Sequence, residues 1–186
     1  MKVFIDLGAY KGAMIRHCRK NPAYGSSYKC YAFECNPALS KIDYGADVVA
    51  VRKAAWVFDG TVKFYMNLRH QTAVQGHSLY REKTTGGLDK DHPIEVPCVD
   101  FSAWLKATVA ADDYVVIKCN IEGAEFDVLE KCCADGTAAL IDELHIQWHT
   151  KKCQLPESRR TDLMGRLSGF PIKIYNGYGK IKAPKK

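Results

Sequence analysis

A chain of 186 residues with 47% hydrophobic and 26% charged residues has the balance of a soluble globular domain and is long enough to bury a core. No apolar run reaches the ~20 residues that a membrane-spanning helix needs, and the stretch Met1–Asp6 is too short for a secretory signal. The net charge of +6 is lopsided: residues 151–186 hold 10 of the 27 Lys+Arg and 2 of the 21 Asp+Glu, so the basic excess lies in this C-terminal segment. Such a segment is either a solvated face and tail or a surface for an anionic substrate, nucleic acid or membrane. The 8 cysteines include no Cys-x-x-Cys pair, and several, such as Cys119, sit within apolar runs. They read as reduced, partly buried thiols of a cytoplasmic protein rather than disulfides or zinc ligands.

Strand-like and helix-like stretches alternate along the chain. Lys2–Leu7 is an apolar strand that stops at Gly8, and Met14, Ile15 and Cys18 then recur at helical spacing. Tyr28–Phe33 is the second strand, Asn36-Pro37 reads as an N-cap followed by proline, and Asp47–Val51 is a third strand. Gly60–Asn67 and Ile94–Val99 are extended, separated by a polar insert near 69–93 that is either mobile or functional. Asp100 and Ser102 can cap a short helix bearing Phe101, Trp104 and Leu105. Tyr114–Cys119 is a continuous, β-branched strand of the central type, followed by a helix over Glu122–Cys133, a strand over Ala139–Trp148 and a helix over Glu157–Ser168. Pro171–Asn176 and Tyr178–Ile181 flank Gly177 as a closing hairpin. This alternation predicts an α/β fold, a mostly parallel sheet with helices on both faces and its ligand at the carboxyl ends of the strands.

The first strand runs Phe4-Ile5-Asp6-Leu7-Gly8-Ala9-Tyr10-Lys11-Gly12, a glycine turn opening a helix, as nucleotide-binding folds use. Glu34 ends the second strand 22 residues after Gly12, in position to accept both ribose hydroxyls. Tyr10 stands where a dinucleotide fingerprint has its middle glycine, so a pyrophosphate fits poorly. A methyl donor has no phosphate and tolerates the side chain, and Asp6 suits its cationic amino-acid end. An ordinary α/β turn without ligand is the alternative.

These segments resemble the FkbM-type methyltransferase family from about residue 3 to residue 149. The resemblance rests on the glycine turn, on Tyr31-Ala32-Phe33-Glu34-Cys35-Asn36-Pro37, on Lys53-Ala54-Ala55-Trp56 with Asp59-Gly60, and on Val96–Asp100. It rests above all on Ile117-Lys118-Cys119-Asn120-Ile121-Glu122-Gly123-Ala124-Glu125, and it ends with Glu143-Leu144-His145. It implies a Rossmann-like class I methyltransferase fold, with a mostly parallel twisted sheet and the closing antiparallel hairpin, in a single domain over 1–186. The implied donor is S-adenosyl-L-methionine and the implied acceptor a hydroxyl of a sugar, glycan or small metabolite. Asp6, Gly8, Ala9, Tyr10 and Gly12 would line the methionine end, Glu34 the ribose, and Asn36, Ala54 and Ala55 the adenosine. Asn120 stands where the family usually has Asp, and an amide cannot act as a carboxylate base. The chain also starts on the first strand without a preceding helix, which leaves the acceptor pocket open or completed by another subunit.

Methyl transfer from a sulfonium needs the acceptor positioned and its proton removed. Lys118, Asn120 and Glu122 alternate after a strand end, with Glu125 in the helix's first turn; the bland reading of both glutamates is complementing the helix dipole. Glu143, His145, Gln147 and His149 share one face by period-two alternation, and a polar face on an interior strand needs a reason. His145 is the candidate general base, with a satisfied structural histidine as its alternative. A metal held by Glu122, His145 and His149 is considered and not assigned. His17, His70, His77 and His92 read as surface groups, though His77-Ser78 can face the acceptor from the insert. Trp56 and Trp104 read as core. The competing functions are an RNA (cap or ribose 2′-O) methyltransferase, kept open but not favoured by the basic C-terminal segment and the Lys118/Glu122 pair, a non-catalytic S-adenosylmethionine-binding subunit, motivated by Asn120 and the short N-terminus, and a dehydrogenase, disfavoured by Tyr10.

Overall fold

A computed structural model describes residues 1–67 and 75–181. His70 and the terminal Lys182, Lys185 and Lys186 therefore lie outside the described residues. The elements in chain order are β1 (Lys2–Leu7), α1 (Ala13–Lys20), β2 (Tyr28–Phe33), β3 (Val48–Val51), β4 (Ala54–Trp56), β5 (Gly60–Phe64), β6 (Ile94–Asp100), α2 (Phe101–Thr108), β7 (Tyr114–Cys119), α3 (Glu125–Ala134), β8 (Glu143–Ile146), α4 (Glu157–Leu167) and β9 (Lys173–Asn176). A six-stranded sheet runs β3-β2-β1-β7-β8-β9 with every pairing parallel. A three-stranded sheet, β4-β6-β5, pairs β4 parallel and β5 antiparallel to β6.

Alternation along the strands decides which face each side chain meets. On β1, Val3, Ile5 and Leu7 join Phe101, Leu105, Phe126, Leu129, Leu163 and Leu167, so α2, α3 and α4 cover that face. Phe4 points the other way, with Cys30, Val116 and the α1 residues Met14, Ile15 and Cys18. The strand order reverses between β1 and β7, the switch point at which such sheets bind ligands.

The structure corrects four expectations. The closing hairpin does not form: β9 pairs parallel with β8, and after Gly177 the chain turns so that Ile181 is buried against the α1 side. Because α4 lies between β8 and β9, the chain returns as a crossover, and a crossover delivers a parallel strand. The helix expected from Glu122 starts at Glu125, since Glu122 and Gly123 have φ values of 53° and 118° and form a turn. The strand expected over Ala139–Trp148 shrinks to Glu143–Ile146: a 3-10 turn occupies Thr137–Leu140 after the left-handed Gly136. Ser102 does not cap α2; the Asp100 carboxylate does, accepting from Ala103 N, while Ser102 bonds Thr137 in the interior. The Asn36 cap forms as read, its side chain accepting from Ala38 N.

Ile117 is fully buried in the central strand β7. Ile117→Ala is expected to cost about 2–5 kcal/mol through lost burial and a residual cavity. A lower urea midpoint at unchanged slope checks this.

Candidate active site

The carboxyl ends of β1 and β7 are joined through backbone and one ammonium. Asn120 N donates to Leu7 O at 3.1 Å, and Gly8 N and Ala9 N donate to Phe33 O at 3.1 and 2.9 Å. Gly8 has φ 75°, and a Cβ there would fall 2.1 Å from Asn120 O, so the turn needs a bare Cα both for its conformation and for the close approach. The Lys118 Nζ donates to Gly8 O at 2.7 Å and Leu7 O at 3.1 Å and pairs with Asp6 Oδ1 at 2.8 Å. Asp6 is fully buried and Lys118 is 3% exposed, so each charge is neutralised by the other inside the protein.

Between these turns opens a cavity of about 480 Å³. Gly8, Tyr10, Glu34, Ala54, Ala55, Asn120, Ile121 and Glu122 line it on the sheet side. Residues 75–79 of the polar insert, with Asn67, line it from across. Glu34 is held by two backbone donors, Tyr10 N to Oε2 and Asn36 N to Oε1, each at 2.9 Å. Each oxygen keeps a second lone pair for a ligand hydroxyl. Burial pushes the Glu34 carboxyl above its usual range, and the Asn36 and Tyr10 amides pull it back. Ala54 and Ala55, flanked by Phe33, Cys35, Phe64 and Leu79, form an apolar wall. Asn120 Oδ1 is buried without a hydrogen-bond partner.

The expected site residues divide into those that line this cavity and those that do not. Gly8, Tyr10, Glu34, Ala54, Ala55, Asn120 and Glu122 do. Asp6 and Lys118 sit beneath the Gly8 turn as an ion pair. Ala9 is buried, Gly12 packs against Tyr44, and Asn36 is spent on its cap. His145 is fully buried on the α1 side, outside the cavity lining, with its Nε2 at 3.1 Å from Glu143 Oε2 and 3.2 Å from the Tyr24 hydroxyl. The period-two argument also fails beyond Ile146: β8 ends there, and His149 lies against Glu125 rather than beside His145. Of the three residues weighed as a metal site, Glu122 and His149 approach to 3.7 Å, but His145 is held apart from them on Glu143 and Tyr24. Trp104 packs on Phe33, Tyr31 and Phe101 in the core, and Trp56 packs partly buried against the smaller sheet's cluster.

The insert contributes more than its polarity announced. His77, read as a surface group, is buried at 6% exposure and lines the cavity; His17 and His92 are half-buried and exposed, respectively. Its Nδ1 accepts Asn67 N–H at 2.7 Å, so the neutral ring carries its proton on Nε2 and offers a donor, not a base. Burial, and then Lys83, hold the imidazole below its usual pKa, against the pull of Glu122. Lys83 is 2% exposed and pairs with Glu122 Oε2 at 3.1 Å. Sequence reasoning missed Lys83, although Gly76 and Gly86, which pack close about its Nζ, were visible as glycines within the insert. Ser78 Oγ donates to Glu122 O, and Thr84 N to Lys152 O, so the insert is pinned to the body of the fold.

A scan of known families matches this chain over residues 6–152 to the Methyltransferase FkbM domain. Neither the curated proteins nor the solved structures contain a match.

His145 supplies a pH prediction. Burial holds its imidazole below the ordinary value of 6.5, against the opposing pull of Glu143, so the unfolded chain binds a proton there more readily than the folded one. The stability that this neutral imidazole contributes is complete above pH 6.5 and is lost as pH falls below it toward the folded pKa; His77 has the same sign. Urea unfolding from pH 7.5 down to about 5.5 is expected to show falling stability, with a shallower slope in His145→Gln. Equal slopes would assign the linkage elsewhere.

Proposed function

The chain belongs to the FkbM methyltransferase family, and from that premise we propose that it transfers the methyl group of S-adenosyl-L-methionine to a hydroxyl of a sugar, glycan or small metabolite. The observation that carries this reading is the convergence of Gly8, Glu34 and the Asn120–Glu122 turn on one cavity at the switch point of the parallel sheet.

The residues present fit the donor. Gly8 lets backbone approach the ligand, Glu34 offers free lone pairs to ribose hydroxyls, and Ala54 and Ala55 leave flat apolar space for a purine. The Tyr10 side chain fills room that a pyrophosphate would need, consistent with a ligand lacking phosphate. Asp6, through Lys118, holds the Gly8 turn, and the Asn36 amide holds Glu34, while Ala9 and Gly12 pack within the turn. When bound, the donor supplies an activated methyl on a cationic sulfur. The protein's remaining task is to seat the acceptor and take its proton. We assign that task to Glu122, supported by its position in the cavity lining with Lys83 holding it on one side. Asn120 Oδ1 and the His77 Nε2–H are a free acceptor and a free donor for orienting a hydroxylated molecule. Lys118 acts by holding the Gly8 turn. His145, outside the cavity lining, is left a structural role.

The basic C-terminal segment argues less for RNA than its charge implied. The Arg159 guanidinium is engaged by Glu130, Asp127 and the Tyr80 hydroxyl, Arg160 by Glu157, and Lys180 lies 4.0 Å from the Tyr175 ring centroid.

Calorimetric titration with S-adenosylhomocysteine, with NAD as comparison, tests the donor; micromolar binding of the first and none of the second is expected, and failure of S-adenosylhomocysteine to bind overturns the reading. Glu34→Ala is expected to weaken that binding about tenfold or more, since two hydroxyl contacts to a charged acceptor are lost. Asn120→Asp is expected to leave it intact. Loss of binding in Asn120→Asp would place that side chain against the donor rather than the acceptor.

A further inference from the structure

Behind the cavity wall lies a row of ionisable groups. Glu125 is fully buried; its Oε2 accepts Gly123 N–H at 2.8 Å, and its Oε1 accepts His149 N–H at 2.8 Å and faces His149 Nδ1 at 3.0 Å. A carboxylate oxygen meets a ring nitrogen at that distance when the nitrogen carries the proton. Nδ1 is therefore the protonated nitrogen of the neutral ring, and Nε2 presents a lone pair. His149 is 1% exposed, and its Nε2 has no hydrogen-bond partner; it faces Glu122 Oε2 at 3.7 Å, beyond hydrogen-bond range. Lys83 Nζ meets the same Oε2 at 3.1 Å. Glu122 is held there by a left-handed backbone, next to Gly123, where a Cβ would lie 2.6 Å from Cys153 Sγ.

The charges of this row do not cancel. Glu122 and Glu125 are two carboxylates, Lys83 is one ammonium, and His149 in the tautomer described is neutral. Of the other titratable groups facing them among the described residues, burial pushes the Cys153 thiol up to about 12 and raises the Tyr178 phenol, burial and then Lys83 hold the His77 imidazole below its usual value, and Lys152, whose charge reaches Cys153, is partly exposed to solvent. Glu125 and His149 are closed off from water, where an unbalanced charge is costly, whereas the Glu122 side chain keeps 23% exposure and lines the cavity; one added proton would bring the row to neutrality. The only unfilled proton-accepting nitrogen in the row is His149 Nε2.

We propose, on the footing of the hydroxyl-methyltransferase reading, that His149, oriented by Glu125, is the proton store behind Glu122. As the acceptor oxygen forms its bond to the methyl carbon and the carbon–sulfur bonding pair passes to sulfur, the acceptor O–H proton goes to Glu122. It then passes to His149 Nε2, where Glu125 balances the imidazolium, and leaves to solvent after product release. His149 touches no substrate; it is a positioning residue that acts through Glu122.

The test is nuclear magnetic resonance on the full chain labelled with ¹⁵N-histidine, His149→Asn identifying the signal by its loss. The neutral His149 ring is expected to carry its proton on Nδ1. Its titration midpoint is expected to fall by roughly half a pH unit or more in Glu122→Gln, because the carboxylate facing Nε2 is gone. A ring protonated on Nε2, or a midpoint that Glu122→Gln leaves in place, overturns the relay. S-adenosylhomocysteine titration of the same samples separates the two claims. Binding with an unmoved midpoint defeats the relay alone; a moved midpoint without binding defeats the methyltransferase reading and, with it, the relay's reaction.

Discussion

At the seam where β1 and β7 part, the Lys118 ammonium is held by Asp6 Oδ1 and the Leu7 and Gly8 carbonyls, at 2.8, 3.1 and 2.7 Å. Two of these acceptors are the backbone oxygens of Leu7, the last residue of β1, and of Gly8 in the turn that follows, and the third is a carboxylate with no exposure to water. Replacing the lysine by a neutral residue would strand a buried anion, a loss of about 3–5 kcal/mol. It would also release the carbonyls that fix the Gly8 turn. Through this one contact the carboxyl end of β1, the Gly8 turn and the end of β7 are tied together beside the cavity.

From the seam outward, the two sides of the cavity are built differently. The side carrying Gly8, Glu34 and Ala54–Ala55 consists of strand ends and short turns whose positions follow from sheet pairing. The opposite side is the insert, held by point contacts: Ser78 to Glu122 O, Lys83 to Glu122 Oε2, and the Tyr80 hydroxyl to Asp127 and Arg159. Three of these partners stand at the turn and first helical residues after β7. The Glu122 turn therefore serves both sides, lining the cavity and anchoring the insert, and this double duty accounts for a non-glycine residue at φ 53°.

What could be read in the sequence follows the range of the forces involved. The alternation of strands and helices and the Asn36 cap are local, and they took the expected form; the glycine turn and Glu34, 22 residues after Gly12, meet through the pairing of β1 with β2. Where local pattern failed, a tertiary contact had prevailed. Glu122 continues a helical pattern by composition, yet its backbone turns left-handed to meet the insert. His145 and His149 look like one face of a strand, yet β8 ends at Ile146 and the two rings reach different partners, Glu143 and Glu125. The hairpin suggested by Gly177 gave way to burial of Ile181 beside α1. Lys83 was the least legible. A lysine in a polar insert carries no mark of burial, and only the fold brings Glu122 to it.

Asn120 shows how the site distributes its charge. It replaces the carboxylate that the family resemblance leads one to expect, at a position whose backbone is fixed on both sides by the β1 seam. The cavity already holds Glu34 and Glu122, and the two buried cations near it are each committed, Lys118 to Asp6 and Lys83 to Glu122. A third carboxylate would have neither of them as counter-charge and would raise the cost of ionising its neighbours. An amide retains the acceptor oxygen, adds two donor hydrogens and carries no charge. Position 120 thereby presents uncharged hydrogen-bonding groups to the cavity, and the carboxylate stands two residues along the chain at Glu122, with both a cation and an imidazole behind it.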